Sequence, residues 1–193
     1  MPILKVIEYL GAISAFVYLV IVTRRSWFAW PAYIASSLLY IPVFWHAQLY
    51  ADATLQLYFV LMGFYSWWLW KREGRDHVQV VSWSLRTHLL IIIAIILSSL
   101  LLGFYLSTTP AGLYGYSDAL ISISSVVTTV LTARKVLESW WYWICINCIA
   151  TIVFSMRGLE VVTVLLYIVY IALSVRALFA WKRSLLPSSQ HVI

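Results

Sequence analysis

The chain has 193 residues and a formal net charge of +6; 63% of its residues are hydrophobic, 17% aromatic and only 10% charged. With a mean hydropathy of +0.90, these values exclude a soluble globular protein, in which about a quarter of residues are charged. A basic balance raises nucleic acid as a partner, but the cations here flank apolar runs in short loops. Membrane topology and contact with anionic lipid account for them, and no nucleic-acid partner is expected.

An apolar run needs about 17 to 25 residues to cross roughly 30 Å of hydrocarbon. Runs of that kind fall near 4–22, 27–45, 50–70, 85–106, 116–134, 140–156 and 159–180. The first starts almost at Met1, is too long for a signal-peptide core and is followed by no small-residue cleavage pattern, so a retained helix is expected. The second places Trp30, Tyr33, Ser37 and Tyr40 on one helical stripe, and the third does the same with Asp52, Gln56, Phe59 and Gly63. The fifth carries Ser122, Ser125, Thr128, Thr129 and Thr132. On the sixth, Trp140, Trp143 and Asn147 share a stripe, whereas Trp141, Cys145 and Cys148 project elsewhere. The seventh offers Glu160, Thr163, Tyr167, Tyr170 and Ser174. The connections are short and leave no room for a soluble domain. An all-α integral membrane protein is expected, with residues 1–193 forming a single membrane domain.

If the helices alternate, Arg24, Arg25, Lys71, Arg72, Arg75, Arg86, Arg134, Lys135, Lys182 and Arg183 lie on one side, with Arg176 near that end. The other side holds only Lys5 and Arg157. The positive-inside rule then puts the N-terminus outside and the C-terminus in the cytoplasm. Trp67, Trp68, Trp70 and Trp181 stand at expected cytoplasmic helix ends, where an aromatic belt belongs.

The chain also resembles itself. Ser26-Trp27-x-x-Trp30 recurs as Ser139-Trp140-x-x-Trp143 at an offset of 113, and Trp70-Lys71-Arg72 recurs as Trp181-Lys182-Arg183 at 111. The difference of two suggests a shorter turn between helices 6 and 7 than between helices 2 and 3. The expectation is a 3+1+3 construction: repeat one over 4–72, a linker helix over 85–106 and repeat two over 116–183. One linking helix keeps both repeats parallel.

In such a fold a substrate site is expected near the midplane, where polar groups that are costly in lipid face an internal cavity. The amides of Asn147 and Gln56 offer donors and acceptors without charge, while Trp30, Tyr33, Phe59, Trp140, Trp143 and Tyr167 offer aromatic faces, and Thr129 and Thr163 hydroxyls. Flat polar rings, cationic ones included, suit that set. The competing reading is that the amides and hydroxyls tie helices together.

The stretches "LYADATLQLYF" and "LTARKVLESWWYWICIN", with the closing Trp-Lys segments, resemble the Pnu family of vitamin transporters over nearly the whole chain. The resemblance implies seven core helices in a SWEET-like arrangement, usually a homotrimer in the bacterial cytoplasmic (inner) membrane. It also implies facilitated diffusion of an unphosphorylated B-vitamin or precursor, trapped inside by a cytoplasmic vitamin kinase. The family's helix 6 Trp-x-x-Trp and following Asn map onto Trp140, Trp143 and Asn147, and its helix 3 glutamine onto Gln56. Many relatives have a glutamine where Thr129 stands, and some have an additional N-terminal helix. Nicotinamide riboside is the expected substrate, with thiamine as the alternative of the same family; a SWEET-type sugar transporter or a membrane sensor is the alternative of another class.

No phosphate-binding GxxxxGK[ST] loop is present, so direct drive by ATP is not expected. Glu8, Asp52, Asp118 and Glu160 fall near outer helix ends and leave no midplane relay of carboxylates or histidines, which makes uniport the simplest mechanism. Those four acids are expected to give the outer mouth a negative field. Glu138 stands at helical spacing from Arg134 and Lys135, as in a local salt bridge. Cys145 and Cys148 lack further ligands, and His46, His77, His88 and His191 are dispersed, so neither metal nor cofactor is expected. The seventh helix has no interior lysine of the kind a retinal protein needs, and no nucleophile or signalling segment argues for an enzyme.

Overall fold

The computed structural model describes residues 2–46, 50–73, 79–108, 114–157 and 161–185. Among them it contains seven helices: α1 (Pro2–Val22), α2 (Ala29–His46), α3 (Tyr50–Arg72), α4 (Leu85–Ser107), α5 (Gly115–Ala133), α6 (Ser139–Met156) and α7 (Val161–Leu185). Each follows one of the seven apolar runs, with ends shifted by a few residues. Five of them, α1, α4, α5, α6 and α7, hold stretches long and apolar enough to cross a membrane. α2 and α3 fall below that level because of what they carry. α2 has Ser36, Ser37, His46 and an internal Pro42, and α3 has Asp52, Gln56, Lys71 and Arg72.

Two compact units make up the chain. The first holds α1, α2 and α3 with Ala133–Lys135 and α7 from Arg176 onward; the second holds Val81–Thr132 and Val136–Val175. In the first unit α2 packs against both α1 and α3, and the Ser36 hydroxyl donates to the Gly11 carbonyl at 2.9 Å. Such side-chain bonds matter in a bilayer, where lipid tails compete on equal terms for apolar contact.

Four fully buried residues organise one end of this unit. The Trp70 indole N–H donates to the Ala133 carbonyl at 2.9 Å, and the Trp181 indole N–H donates to the Val22 carbonyl at 3.1 Å. Val22 and Ala133 are the last residues of α1 and α5, where carbonyls have lost their intrahelical partners. The chain leaves both helices through left-handed residues, Arg25 at φ 56° and Lys135 at φ 60°, a common way to stop a helix. Trp70 and Trp181 also touch, their centroids 5.9 Å apart. Lys135 places its ammonium 5.8 Å from the Trp70 ring centroid and pairs with Glu73.

Trp30 and Trp140 are each the second residue of their helices, and both are fully buried. Trp27 precedes α2 and stacks on Phe28 at 3.7 Å.

In the second unit the Ser84 hydroxyl caps α4 by accepting the Thr87 N–H at 3.2 Å. Only His88, Ile95, Ser99 and Gly103 of α4 are buried, and their spacing makes one narrow stripe on a helix otherwise covered with exposed Leu, Ile and Phe. Gly103 is required there: a Cβ would come within 2.5 Å of the Tyr116 ring and 2.9 Å of its Cα.

The indole bonds make a graded prediction. Trp70→Phe leaves the Ala133 carbonyl buried without a donor and is expected to cost about 1–3 kcal/mol. Trp181→Phe is expected to cost less, because the Arg25 N–H still donates to the Val22 carbonyl at 2.9 Å. Thermal unfolding in detergent, followed by circular dichroism, reads the order, with the exposed Trp68→Phe as the reference.

Candidate functional site

The residues singled out by sequence fall into two groups, one in each unit. In the first, Trp30 sits at 5.6 Å from Tyr18, 5.6 Å from Tyr33 and 5.3 Å from Trp70, measured between ring centroids. Tyr33 continues the cluster to Phe59 at 6.1 Å. The two largest angles are near perpendicular, as the quadrupoles of aromatic rings favour. The Trp30 indole nitrogen is buried with no hydrogen-bond partner. Gln56 lies on α3 one turn before Phe59, half-buried.

The second group is built on α5 and α6. α5 buries Ser124, Ser125, Thr128, Thr129 and Thr132 together. A hydroxyl in a membrane helix can return its proton to the carbonyl one turn back. Thr129 does so to Ser125 at 2.8 Å, and Thr132 to Thr128 at 2.9 Å. With their protons committed, these hydroxyls present lone pairs only. Trp143, half-buried on α6, donates its indole N–H to the Thr132 hydroxyl oxygen at 3.0 Å. Its single donor is thereby used, and what it still offers is ring surface.

Asn147 is the contrasting case. It is only 7% exposed, and its backbone carbonyl accepts from Thr151 at 2.7 Å. Its side-chain amide makes no hydrogen bond among the described residues, so both donor and acceptor remain available. Trp140, one helical turn before Trp143, is fully buried. Tyr167 packs edge-on to Phe154 at 5.0 Å and meets Tyr170 at 5.6 Å. The side chain of Thr163 lies outside the described residues, as do Glu160, Arg75, His77 and His191.

Two polar clusters in the second unit were not legible from sequence. Glu138 does not pair with Arg134 or Lys135. One of its carboxylate oxygens accepts from the Ser82 hydroxyl, the other accepts the Trp83 N–H at 3.3 Å and lies 3.5 Å from His88 Nε2. His88 Nδ1 in turn meets the Tyr142 hydroxyl at 3.0 Å. With the Leu137 N–H donating to the Val81 carbonyl at 2.8 Å, these bonds fasten residues 81–83 onto the α5–α6 connection. His88 is some fifty residues away from Glu138 along the chain. The other cluster joins Asp118 and Arg157 in an ion pair, with the Arg157 guanidinium 4.3 Å from the Tyr114 ring centroid. Asp118 is therefore neutralised, which weakens the negative field expected from it. Cys145 and Cys148 are free thiols, and no group of three or more metal-ligating side chains gathers among the described residues.

Comparison with known proteins decides the family. The model of the family described as Nicotinamide mononucleotide transporter matches residues 5–183. The chain belongs to this family. It is a multi-pass membrane protein of a transporter family, and its relatives are transporters rather than enzymes. It is 24% identical over 169 residues to the nicotinamide riboside transporter PnuC of Escherichia coli (strain K12), covering 74% of this chain and 70% of that one. It is 25% identical over 152 residues to the riboflavin/roseoflavin transporter RibM of Streptomyces davaonensis, covering 74% and 68%. Its fold is that of a solved structure described as the crystal structure of the vitamin B3 transporter PnuC, with a TM-score of 0.77 over 92% of this chain and 81% of that one, at 20% identity.

The Glu138 cluster carries a prediction of its own. Glu138→Ala removes the acceptor of the Trp83 N–H, and hydrogen exchange at residues 81–83 is expected to speed up by about tenfold, the equivalent of one hydrogen bond. Glu138→Gln keeps an acceptor oxygen and is expected to show a smaller rise by mass spectrometry.

Proposed function

We propose that this chain is a uniporter for unphosphorylated nicotinamide riboside, admitting it down its gradient while a cytoplasmic kinase traps the product. The observation that carries the reading is the pairing on α6 of a free amide, Asn147, with an indole, Trp143, whose only donor is already bound. A substrate that suits this pair carries a flat electron-poor ring for the indole face and an amide for the asparagine. Nicotinamide riboside has both. Family membership and the substrate of the Escherichia coli relative point the same way.

Trp30, Tyr33, Gln56, Phe59, Thr129, Trp140, Thr163 and Tyr167 are proposed as further substrate contacts. Thiamine, also a flat cation, is the second reading. It draws on the spread of substrates among relatives that the riboflavin transporter illustrates. A sugar makes less use of an aromatic face. The proposal extends to a construction from two parallel three-helix repeats joined by α4, supported by the matching positions of Trp30 and Trp140 and by the equal spacing of Val22 from Ala133 and Trp70 from Trp181. It includes a homotrimer in the inner membrane, with the N-terminus outside and the C-terminus in the cytoplasm.

Titration calorimetry of the purified protein with nicotinamide riboside, thiamine and their phosphorylated forms tests the reading. Saturable binding of unphosphorylated nicotinamide riboside is expected, with Asn147→Ala losing about 1–3 kcal/mol, roughly 5- to 150-fold in Kd, while the protein stays folded. Tight binding of thiamine alone moves the substrate to the second reading; binding of neither overturns both.

A further inference from the structure

We propose that Thr132 is the positioning residue that sets the plane of the Trp143 indole for stacking on the substrate ring; this rests on the reading of Trp143 as a substrate contact. The Trp143 Nε1–H donates to Thr132 Oγ1 at 3.0 Å, and Thr132 Oγ1–H donates to the Thr128 carbonyl at 2.9 Å. Neither direction is open to choice. An indole nitrogen only donates and a backbone carbonyl only accepts, so the hydroxyl proton must point along α5 and a lone pair must face the indole.

The consequence is geometric. Thr132 is fully buried, and its β-branched side chain has few rotamers in a helix, so the acceptor is a fixed point. The terminal torsion of a tryptophan, by contrast, is broad and weakly held. A bond at the nitrogen edge stops that rotation without covering the face, and Trp143 keeps part of its surface exposed. Trp140, the other tryptophan of the stripe that leads to Asn147, is fully buried one helical turn earlier, so on that stripe Trp143 is the tryptophan with surface to offer. Swinging away would also leave the indole N–H to find another acceptor or go without one. The arrangement thus holds the aromatic face ready before the substrate arrives, which lowers the cost of ordering it on binding.

A bond that merely ties α5 to α6 predicts something different from one that positions the ring. Thr132→Val keeps the shape and removes the acceptor, whereas Thr132→Ser keeps the acceptor. Calorimetry with nicotinamide riboside on the full chain in detergent, paired with thermal unfolding, is expected to show a Kd raised about five- to tenfold for Thr132→Val. Thr132→Ser is expected to stay within about twofold of the parent. In a Trp143→Ala background Thr132→Val is expected to have no further effect, because the ring it positions is gone. Should Thr132→Val not yield folded protein, Thr132→Ala serves in its place. Unchanged affinity in Thr132→Val alongside lost affinity in Trp143→Ala overturns the positioning role and leaves the stacking reading intact. Equal losses in the valine and serine variants, with matching falls in unfolding temperature, also overturn it in favour of a tie. Unchanged affinity in Trp143→Ala removes the premise itself.

Discussion

Two indole N–H groups bound to two helix-terminal carbonyls hold together the first unit of this protein. A helix-terminal carbonyl buried away from water is costly to leave without a donor. From fully buried positions, Trp70 supplies that donor to Ala133, and Trp181 adds a second donor to the Val22 carbonyl, which also takes the Arg25 N–H. Because an indole is both a large apolar body and a single donor, the same residue fills the space between helix ends and closes the hydrogen-bond deficit. Lys135, held in a left-handed conformation, then has its charge answered by Glu73 and by the Trp70 ring.

In the second unit the same accounting of donors sorts residues by what they can still do. Thr129 and Thr132 have their protons committed to their own helix, and Trp143 has its N–H committed to Thr132. Those bonds are structural, and they leave behind an aromatic face and hydroxyl lone pairs. Asn147 has its side-chain amide free in a nearly buried position. An amide left in that condition carries a desolvation penalty, and a transported molecule able to pair with it relieves that penalty. A substrate bound by few such contacts can also leave, as transport demands.

Much of this was legible in the sequence, and the failures are informative. The helices were readable because seven apolar runs are separated by breaks such as Arg24-Arg25 and Arg157-Gly158, and charge in lipid is too costly to be scattered. The Trp140, Trp143 and Asn147 stripe was readable because helical spacing alone defines it. The burial of Trp30 and Trp140 was not, since Trp27 and Trp141 stand beside them in equally aromatic stretches and only packing sets them apart. Glu138 was assigned to its neighbours in sequence, but its carboxylate turns to Ser82, Trp83 and His88, contacts between distant segments that no local spacing encodes. The partner of the Trp143 indole was hidden for a similar reason: several hydroxyls on α5 were candidates, and only the packing of α5 on α6 selects Thr132.

The central claim is that this chain equilibrates an unphosphorylated vitamin across a membrane without an energy source. Purified protein reconstituted into vesicles, with labelled nicotinamide riboside outside and neither ATP nor an ion gradient, tests it most directly. The account predicts saturable uptake that stops when inside and outside concentrations are equal, and continues when a nicotinamide riboside kinase and ATP are enclosed. Uptake no faster than in protein-free vesicles, or accumulation above the outside concentration without the kinase, would contradict it.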